Sequence, residues 1–397
     1  MKPSSPKILT INGGSSSIKF SLYGINGSLT QLFYGELGNI GMKNTNLSFT
    51  NTITNKSKSI NIREGNHDEA AGNLIDWLEA ELDLDSIQAI GHRIVHGMKH
   101  TEPELITSEL LVELKKIRAY DPEHLPDEIK LIEVFNKRYP ELKQIACFDT
   151  SFHSSMPKVA KLLTIPRRFY DMGIRRYGFH GLSYTYLLEE LDSIGGSKAA
   201  KGKIILAHLG NGASLAAVKD GKCIDTSMGF TPTSGLPMGT RTGDLDPGVA
   251  WYLMQHEKLS PIQFSHLINH ESGLKGISEI SSDMRELIKY EDTYSSAAET
   301  IELFCYHIRK WIGSFAAVLG GLDTIVFAGG IGENSPIIRT RICDGLEFLG
   351  IELNEKDNTK NKEIISKDAG KVCVRVIKTN EELMIARMVC DVLKLLK

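Results

Sequence analysis

Ile11 to Lys19 reads Ile-Asn-Gly-Gly-Ser-Ser-Ser-Ile-Lys: the end of an apolar strand, a Gly/Ser turn and the start of a second strand. His208 to Leu215, His-Leu-Gly-Asn-Gly-Ala-Ser-Leu, repeats that design in the second half of the chain. Glycine has no Cβ and tolerates positive φ, so such turns let backbone N–H groups come close to an anion. For either turn alone a plain hairpin is the competing explanation, because Asn-Gly is a strong hairpin signal. A third glycine-rich stretch, Gly329-Gly330-Ile331-Gly332-Glu333-Asn334, follows an apolar run and leads toward a helix expected at Ser335. Three glycine-rich loops at strand ends point to one nucleotide.

Outward from the first turn, Lys7 to Asn12, Ile18 to Tyr23 and Leu29 to Leu37 read as successive antiparallel strands, with two further polar-alternating strands before Arg63. A helix is expected over Asp68 to Leu82, a strand over Ala89 to Val95, a helix over Glu128 to Phe135 behind Pro126, and a buried strand over Gln144 to Asp149. The order begins again with strands at Lys203 to Leu209, Ser214 to Lys219 and Lys222 to Ser227, then helices and the strand Thr324 to Ala328. Val372 to Ile377 reads as strand and Glu381 to Leu396 as helix. The chain therefore reads as an internally duplicated α/β protein that breaks near residue 150.

At 397 residues it exceeds what one hydrophobic core usually supports, which also argues for two domains. With 41% hydrophobic and 24% charged residues it is ordinary for a globular enzyme. A net charge of −3 gives no basic field for nucleic acid, so small molecules are the expected partners. Six scattered cysteines without a Cys-x-x-Cys pair suit reduced thiols in a cytoplasm. Met1 to Lys7 has no apolar run, so no signal peptide is expected. Trp311 to Gly332 is apolar but broken by Gly320, Gly321 and Asp323, and reads as helix, turn and strand rather than a membrane span. Gly196 to Lys203 misses the P-loop pattern by one residue of spacing and by Ile204 in place of Ser or Thr.

Five segments together resemble the acetate kinase family almost end to end: Asn12 to Lys19, Phe148-Asp149-Thr150-Ser151-Phe152-His153, Arg175 to Gly181, Asp225 to Pro247 and Gly329 to Ser335. Arg-Arg-Tyr-Gly-Phe-His-Gly at Arg175 to Gly181 and Met-Gly-Thr-Arg-Thr-Gly-Asp-Leu-Asp-Pro at Met238 to Pro247 carry most of the specificity. The resemblance implies two duplicated actin-like, ribonuclease H-like domains with a nucleotide cleft between them. They would be 1–150, completed by a C-terminal helix 384–397, and 151–383. It also implies a homodimer that moves the γ-phosphoryl group of ATP to acetate or propionate, leaving ADP, with Mg²⁺ or Mn²⁺.

Residue by residue, the resemblance makes Asp149, His180, Arg241, Arg93 and His124 catalytic. A planar donor fork suits both arginine tasks, holding a carboxylate and stabilising a moving phosphoryl group. Arg93 ends an apolar strand, where a buried guanidinium needs an anion. Val95, Phe179 and Pro232 match the apolar acyl pocket, and Glu123 stands in Asp121-Pro-Glu-His-Leu-Pro126 where that pocket has Leu. Nucleotide positions would be Lys19, His208, Leu209, Gly210, Asn211, Gly212, Asp283, Met284, Arg285, Gly329, Gly330, Ile331, Gly332, Glu333 and Asn334. Asn12 and Glu381 match the metal positions, with Glu382 as the adjacent alternative.

A substrate acid with a pKa of about 4.3 is already ionised at neutral pH and needs no general base, so Asp149 is expected to orient groups or support the metal's shell. Further departures are Tyr184 in place of His, Met98-Lys99 after Gly97, and Thr233-Ser234 before Gly235. His92, His96 and His100 would face together on a helix and suggest zinc, but their segment reads as strand and turn. Propionate is the rival acceptor. An actin-like or chaperone-like nucleotide switch is the rival from another class.

Overall fold

The computed structural model describes residues 6–14, 17–40, 45–62, 67–82 and 86–396. Ser15 and Ser16 of the first glycine-rich turn, Arg63, the side chain of Asp68 and Lys397 lie outside the described residues, as do residues 1–5. In chain order the first strands are β1 (Lys7–Gly13), β2 (Ser17–Ile25), β3 (Leu29–Gly38), β4 (Asn46–Asn51), β5 (Lys56–Asn61), β6 (Ile87–Ile94), β7 (Glu104–Leu105) and β8 (Lys143–Phe148). They form one sheet in the order β5-β4-β3-β2-β1-β6-β8-β7. β9 (Ile204–Leu209), β10 (Ala213–Lys219), β11 (Lys222–Thr226), β12 (Thr324–Ala328) and β13 (Cys373–Val376) form the other, ordered β11-β10-β9-β12-β13.

The duplication is visible in the pairing. β3-β2-β1 is antiparallel, and β1, β6 and β8 run parallel. β11-β10-β9 is antiparallel, and β9, β12 and β13 run parallel. Parallel neighbours need long crossovers, and helices supply them. Leu125–Arg138 joins β6 to β8, and Ser295–Leu319 lies between β11 and β12. Leu125–Arg138 starts three residues before the expected Glu128 and takes Pro126 into its first turn, where a missing N–H costs nothing.

The chain divides into two compact units, Met1–Ser151 with Asn380–Lys397, and Phe152–Thr379. Re-entry into unit 1 comes at Asn380 rather than 384. There the Asn380 side chain accepts the Leu383 N–H at 2.9 Å and caps the helix Glu381–Leu393. That helix packs on β1 and β6 with Ile385 and Val389 over Gly91. It stops at Lys394 in a left-handed conformation, short of the expected Leu396.

On the other face of the first sheet, Phe20, Phe33 and Phe49 gather around Trp77, with ring centroids 5.6, 5.5 and 4.6 Å from the indole. Leu74 and Leu78 of His67–Glu81 and Leu131 and Phe135 of Leu125–Arg138 complete this core. In unit 2, helix Gly181–Ala200 lays Leu187 and Leu191 on Leu206, Val218 and Val326. Helix Ser295–Leu319 packs on β10 through a stripe that includes Ile301, Phe304, Ile308, Ile312 and Phe315, spaced three or four apart. Burying such a side chain contributes about 1.5–3 kcal/mol. The helix ends at Gly320, whose φ of 68° is the usual left-handed stop, so Trp311 to Gly332 is mostly helix and strand. Among the described residues no helix is long and apolar enough to cross a membrane.

Candidate active site

Parallel strands present their carboxyl ends to ligands. In unit 1, Asn12 on β1, Arg93 on β6 and Asp149 just past β8 occupy three neighbouring ends. Arg93 donates from Nε and Nη2 to Asp149 Oδ2 at 3.2 and 2.8 Å, and from Nη1 to the Gly13 carbonyl at 3.3 Å. Glu128 also faces it, with Oε1 3.6 Å from Nη1, and accepts the Val95 N–H on Oε2 at 2.8 Å. Burial works against the Arg93 charge, but the carboxylates of Asp149, Glu128 and Glu381 outweigh it and hold its pKa above the usual value. Burial pushes the Glu128 carboxyl up to about 8 despite the guanidinium.

Asn12 Nδ2 donates to Glu381 Oε2 at 2.9 Å and to Glu382 Oε1 at 3.4 Å, and Lys19 lies directly across from Asn12 on β2. Burial, and then the neighbouring Glu381, push the Glu382 carboxyl up. Two carboxylates converging on one amide make an oxygen-rich donor set that fits a hard divalent cation taking few protein ligands. Among the described residues no group of three or more His, Cys, Asp or Glu could hold a metal ion.

His124 precedes the first residue of Leu125–Arg138 without bonding its backbone through the side chain. Its Nδ1 lies 3.0 Å from Asp121 Oδ1, which also accepts the N–H groups of Glu123 at 3.2 Å and His124 at 3.1 Å. Burial opposes the Asp121 charge, yet its bonds to His124 hold the carboxyl below the usual range. An ionised carboxylate can only accept, so Nδ1 donates and Nε2 is left for any further partner. His92, His96 and His100 do not gather. His92 pairs with Gln144 at 2.7 Å, buried His96 accepts the Met98 N–H at 3.2 Å, and His100 joins Glu104 and Glu113.

In unit 2, His208 and Leu209 end β9 and Gly210 to Gly212 turn into β10. A Cβ on Gly212 would lie 3.1 Å from His180 Nε2 and 3.3 Å from Arg241 Nη2, so two cationic or donor side chains converge over that glycine. The Gly239 N–H on the Arg241 loop donates to the Asn211 carbonyl at 2.9 Å, and Arg241 Nη1 to the Pro232 carbonyl at 2.7 Å. His180 has a left-handed backbone, φ 60°, and its Nδ1 sits 2.8 Å from Ser214 Oγ, itself bonded to Tyr184 Oη. His208 stacks on His180 with centroids 4.4 Å apart and is held by Ser183 at 2.8 Å. Buried Phe179 has its carbonyl 2.9 Å from His153 Nε2.

The third glycine-rich stretch differs from expectation. Gly329 to Asn334 is itself helical, beginning directly after β12 with Gly329 at φ 76°, and a second helix follows at Pro336. Side chains hold it. Glu333 Oε1 accepts the Gly329 N–H at 2.8 Å and the Thr379 N–H at 3.0 Å. Fully buried Arg339 donates from Nη1 to the Gly332 and Glu333 carbonyls at 2.8 and 3.1 Å. Asp283 and Arg285 fork together on an exposed helix start beside Met284, bonding each other.

The sequence profile of the acetokinase family matches residues 7–387. The chain belongs to the acetokinase family. Acetokinases are phosphotransferases with a carboxylate acceptor, and the two sheets carry their duplicated actin-like fold. An acetate kinase from Methylocella silvestris is 44% identical over 391 residues, 96% of each chain. The crystal structure of Porphyromonas gingivalis acetate kinase covers 98% of this chain and 100% of its own, at 36% identity and a TM-score of 0.87. That of a propionate kinase from Francisella tularensis covers 96% and 98%, at 37% identity and a TM-score of 0.89.

Four groups to which the motifs assign no role pack against those residues in this acetokinase-family chain. Ser214 lay inside the second quoted turn, and Tyr184, four residues after His180, shares its helix face. Asp121 and Glu128 resemble ordinary acids around a helix start; Asp121 meets His124 within one local turn, and only the tertiary fold brings Glu128 to Arg93.

Proposed function

We propose that this chain transfers the γ-phosphoryl group of ATP to acetate, reversibly and by direct in-line displacement, in the cytoplasm. An ionised acid oxygen bonds to the γ-phosphorus as the bond to the ADP oxygen breaks, and no proton moves. Unit 1 serves the acid: Arg93 holds the carboxylate, oriented by Asp149, with Val95 and His124 beside it. Unit 2 serves the phosphates, through the backbone of Gly210–Gly212 and Gly329–Asn334. Arg241 and His180 neutralise charge on the moving group, and Phe179 and Pro232 are the apolar residues of unit 2 that serve the acyl group. The observation that carries the reading is the approach of His180 Nε2 and Arg241 Nη2 to Gly212, donors gathered over a bare backbone where an anion fits.

Mg²⁺, with Mn²⁺ as a substitute, would be held by Asn12 and Glu381, where it would relieve the repulsion between Glu381 and Glu382. When bound, the metal neutralises phosphate charge. A homodimer is supported by the exposed Leu245, Val249, Trp251, Tyr252 and Ile262 of unit 2, and light scattering that returned the mass of one chain would overturn it.

The test is 31P NMR of the protein with ATP, Mg²⁺ and either acetate or propionate. An acyl-phosphate resonance is expected, larger with acetate. A larger one with propionate reassigns the acceptor. ADP and inorganic phosphate alone, at a rate indifferent to either acid, would leave a nucleotide switch instead.

A further inference from the structure

Two buried carboxylates compete for Arg93, and they do so unequally. Asp149 takes two donors at hydrogen-bond length. Glu128 Oε1 stands back at 3.6 Å and has no hydrogen-bond partner, while Oε2 has the Val95 N–H. That leaves Glu128 one backbone donor to offset the cost of burying its charge, where Asp121, also bare on one oxygen, has three donors on the other. One aspartate already balances one arginine. A second negative charge beside them would add to those of Asp121 and Glu381 where an anionic substrate has to bind.

We propose that Glu128 sets the affinity for the acid substrate: uncharged, it leaves Arg93 to the incoming carboxylate, and charged, it competes for the same guanidinium. This rests on the reading of Arg93 as the holder of the acid. Glu128 acts through Arg93 and is a positioning residue. The groups facing it are Arg93 on β6, Asp149 after β8 and Asp121 in the turn before its own helix. Glu381 acts on the cluster through Arg93, and His96 and His124 through Asp121. Burial is the largest influence, Asp121 and Asp149 add to it, and Arg93 and the Val95 N–H oppose it. With its carboxyl at about 8, Glu128 keeps its proton at neutral pH and gives it up above that.

The experiment measures KM for acetate and for ATP from neutral to alkaline pH in the wild type, Glu128→Gln and Arg93→Lys. Between pH 7 and pH 9 the neutral fraction of a group titrating at about 8 falls roughly tenfold, so the wild-type KM for acetate should rise about tenfold. The KM for ATP should not follow. In Glu128→Gln the acetate KM should stay flat. The same alkaline rise in Glu128→Gln overturns the proposal, and so does a flat wild-type profile, which decides the matter even if the variant fails to fold. Arg93→Lys with an unchanged acetate KM would instead overturn the reading of Arg93, separating that failure from this one.

Discussion

At the ends of β1, β6 and β8, unit 1 presents side chains: the Asn12 amide, the Arg93 guanidinium and the Asp149 carboxylate. At the ends of β9 and β12, in the same strand order, unit 2 presents backbone, as the Gly210–Gly212 turn and the helix opening at Gly329. The first arrangement works by buried ionisation, the second by close approach and chain direction. Duplicated topology decides where a ligand is met, and the residues at the strand ends decide how. Unit 1 should therefore respond to pH and unit 2 to geometry.

The largest expected effect breaks unit 2. Arg241→Ala removes the fork over Gly212, and by comparison with lost transition-state donors kcat should fall about 10³-fold, measured as acyl-phosphate formation. A fall of less than tenfold would move the charge-neutralising role elsewhere.

Next in size is acid. His92 is buried, and burial lowers its pKa from 6.5 to about 4 even though Gln144 partly restores it. Between those values the unfolded chain takes up a proton that the native state refuses. Its contribution, about 3 kcal/mol, is full above pH 6.5 and lost as pH falls through 4. Glu128 gains stability over the same interval, so the loss is read by difference: between pH 7 and 5, hydrogen exchange should show β6 and β8 of the wild type losing protection relative to His92→Gln, with no such difference in β9 and β12. Equal loss in both sheets would erase the contrast.

The smallest effect sharpens it. Ser214→Ala frees His180 Nδ1 from its 2.8 Å partner, and one hydrogen bond of about 1 kcal/mol should cost kcat roughly fivefold. KM for the acid should hold. Tyr184→Phe, one step further out, should cost less, and a larger loss there would place the control of His180 in the tyrosine.

Much of this was legible before the structure. The strand–turn–strand repeat and the parallel strands stood out because alternation and apolar runs are local signals. Gly329 to Asn334 reads as a loop because glycine disfavours helix by about 1 kcal/mol per residue, whereas bonds from Glu333, Asn334 and buried Arg339 hold it in one. Arg339 could not be foreseen as a buried cation, since its partners are carbonyls and amides rather than an acid. Glu128 shows the same limit from the other side: its sequence position is that of a helix-start acid, and its neighbours across the fold make it a partner of Arg93.

The path of the chain through the two units has a consequence for biosynthesis. Helix Glu381–Leu393, which lies over Gly91 and bears Glu381 and Glu382, is translated after the whole of Phe152–Thr379. On the ribosome, the second unit is complete while the first still lacks its closing helix. The nascent β1–β6 face stays bare through all that synthesis, an apolar surface open to chaperones until the last segment emerges.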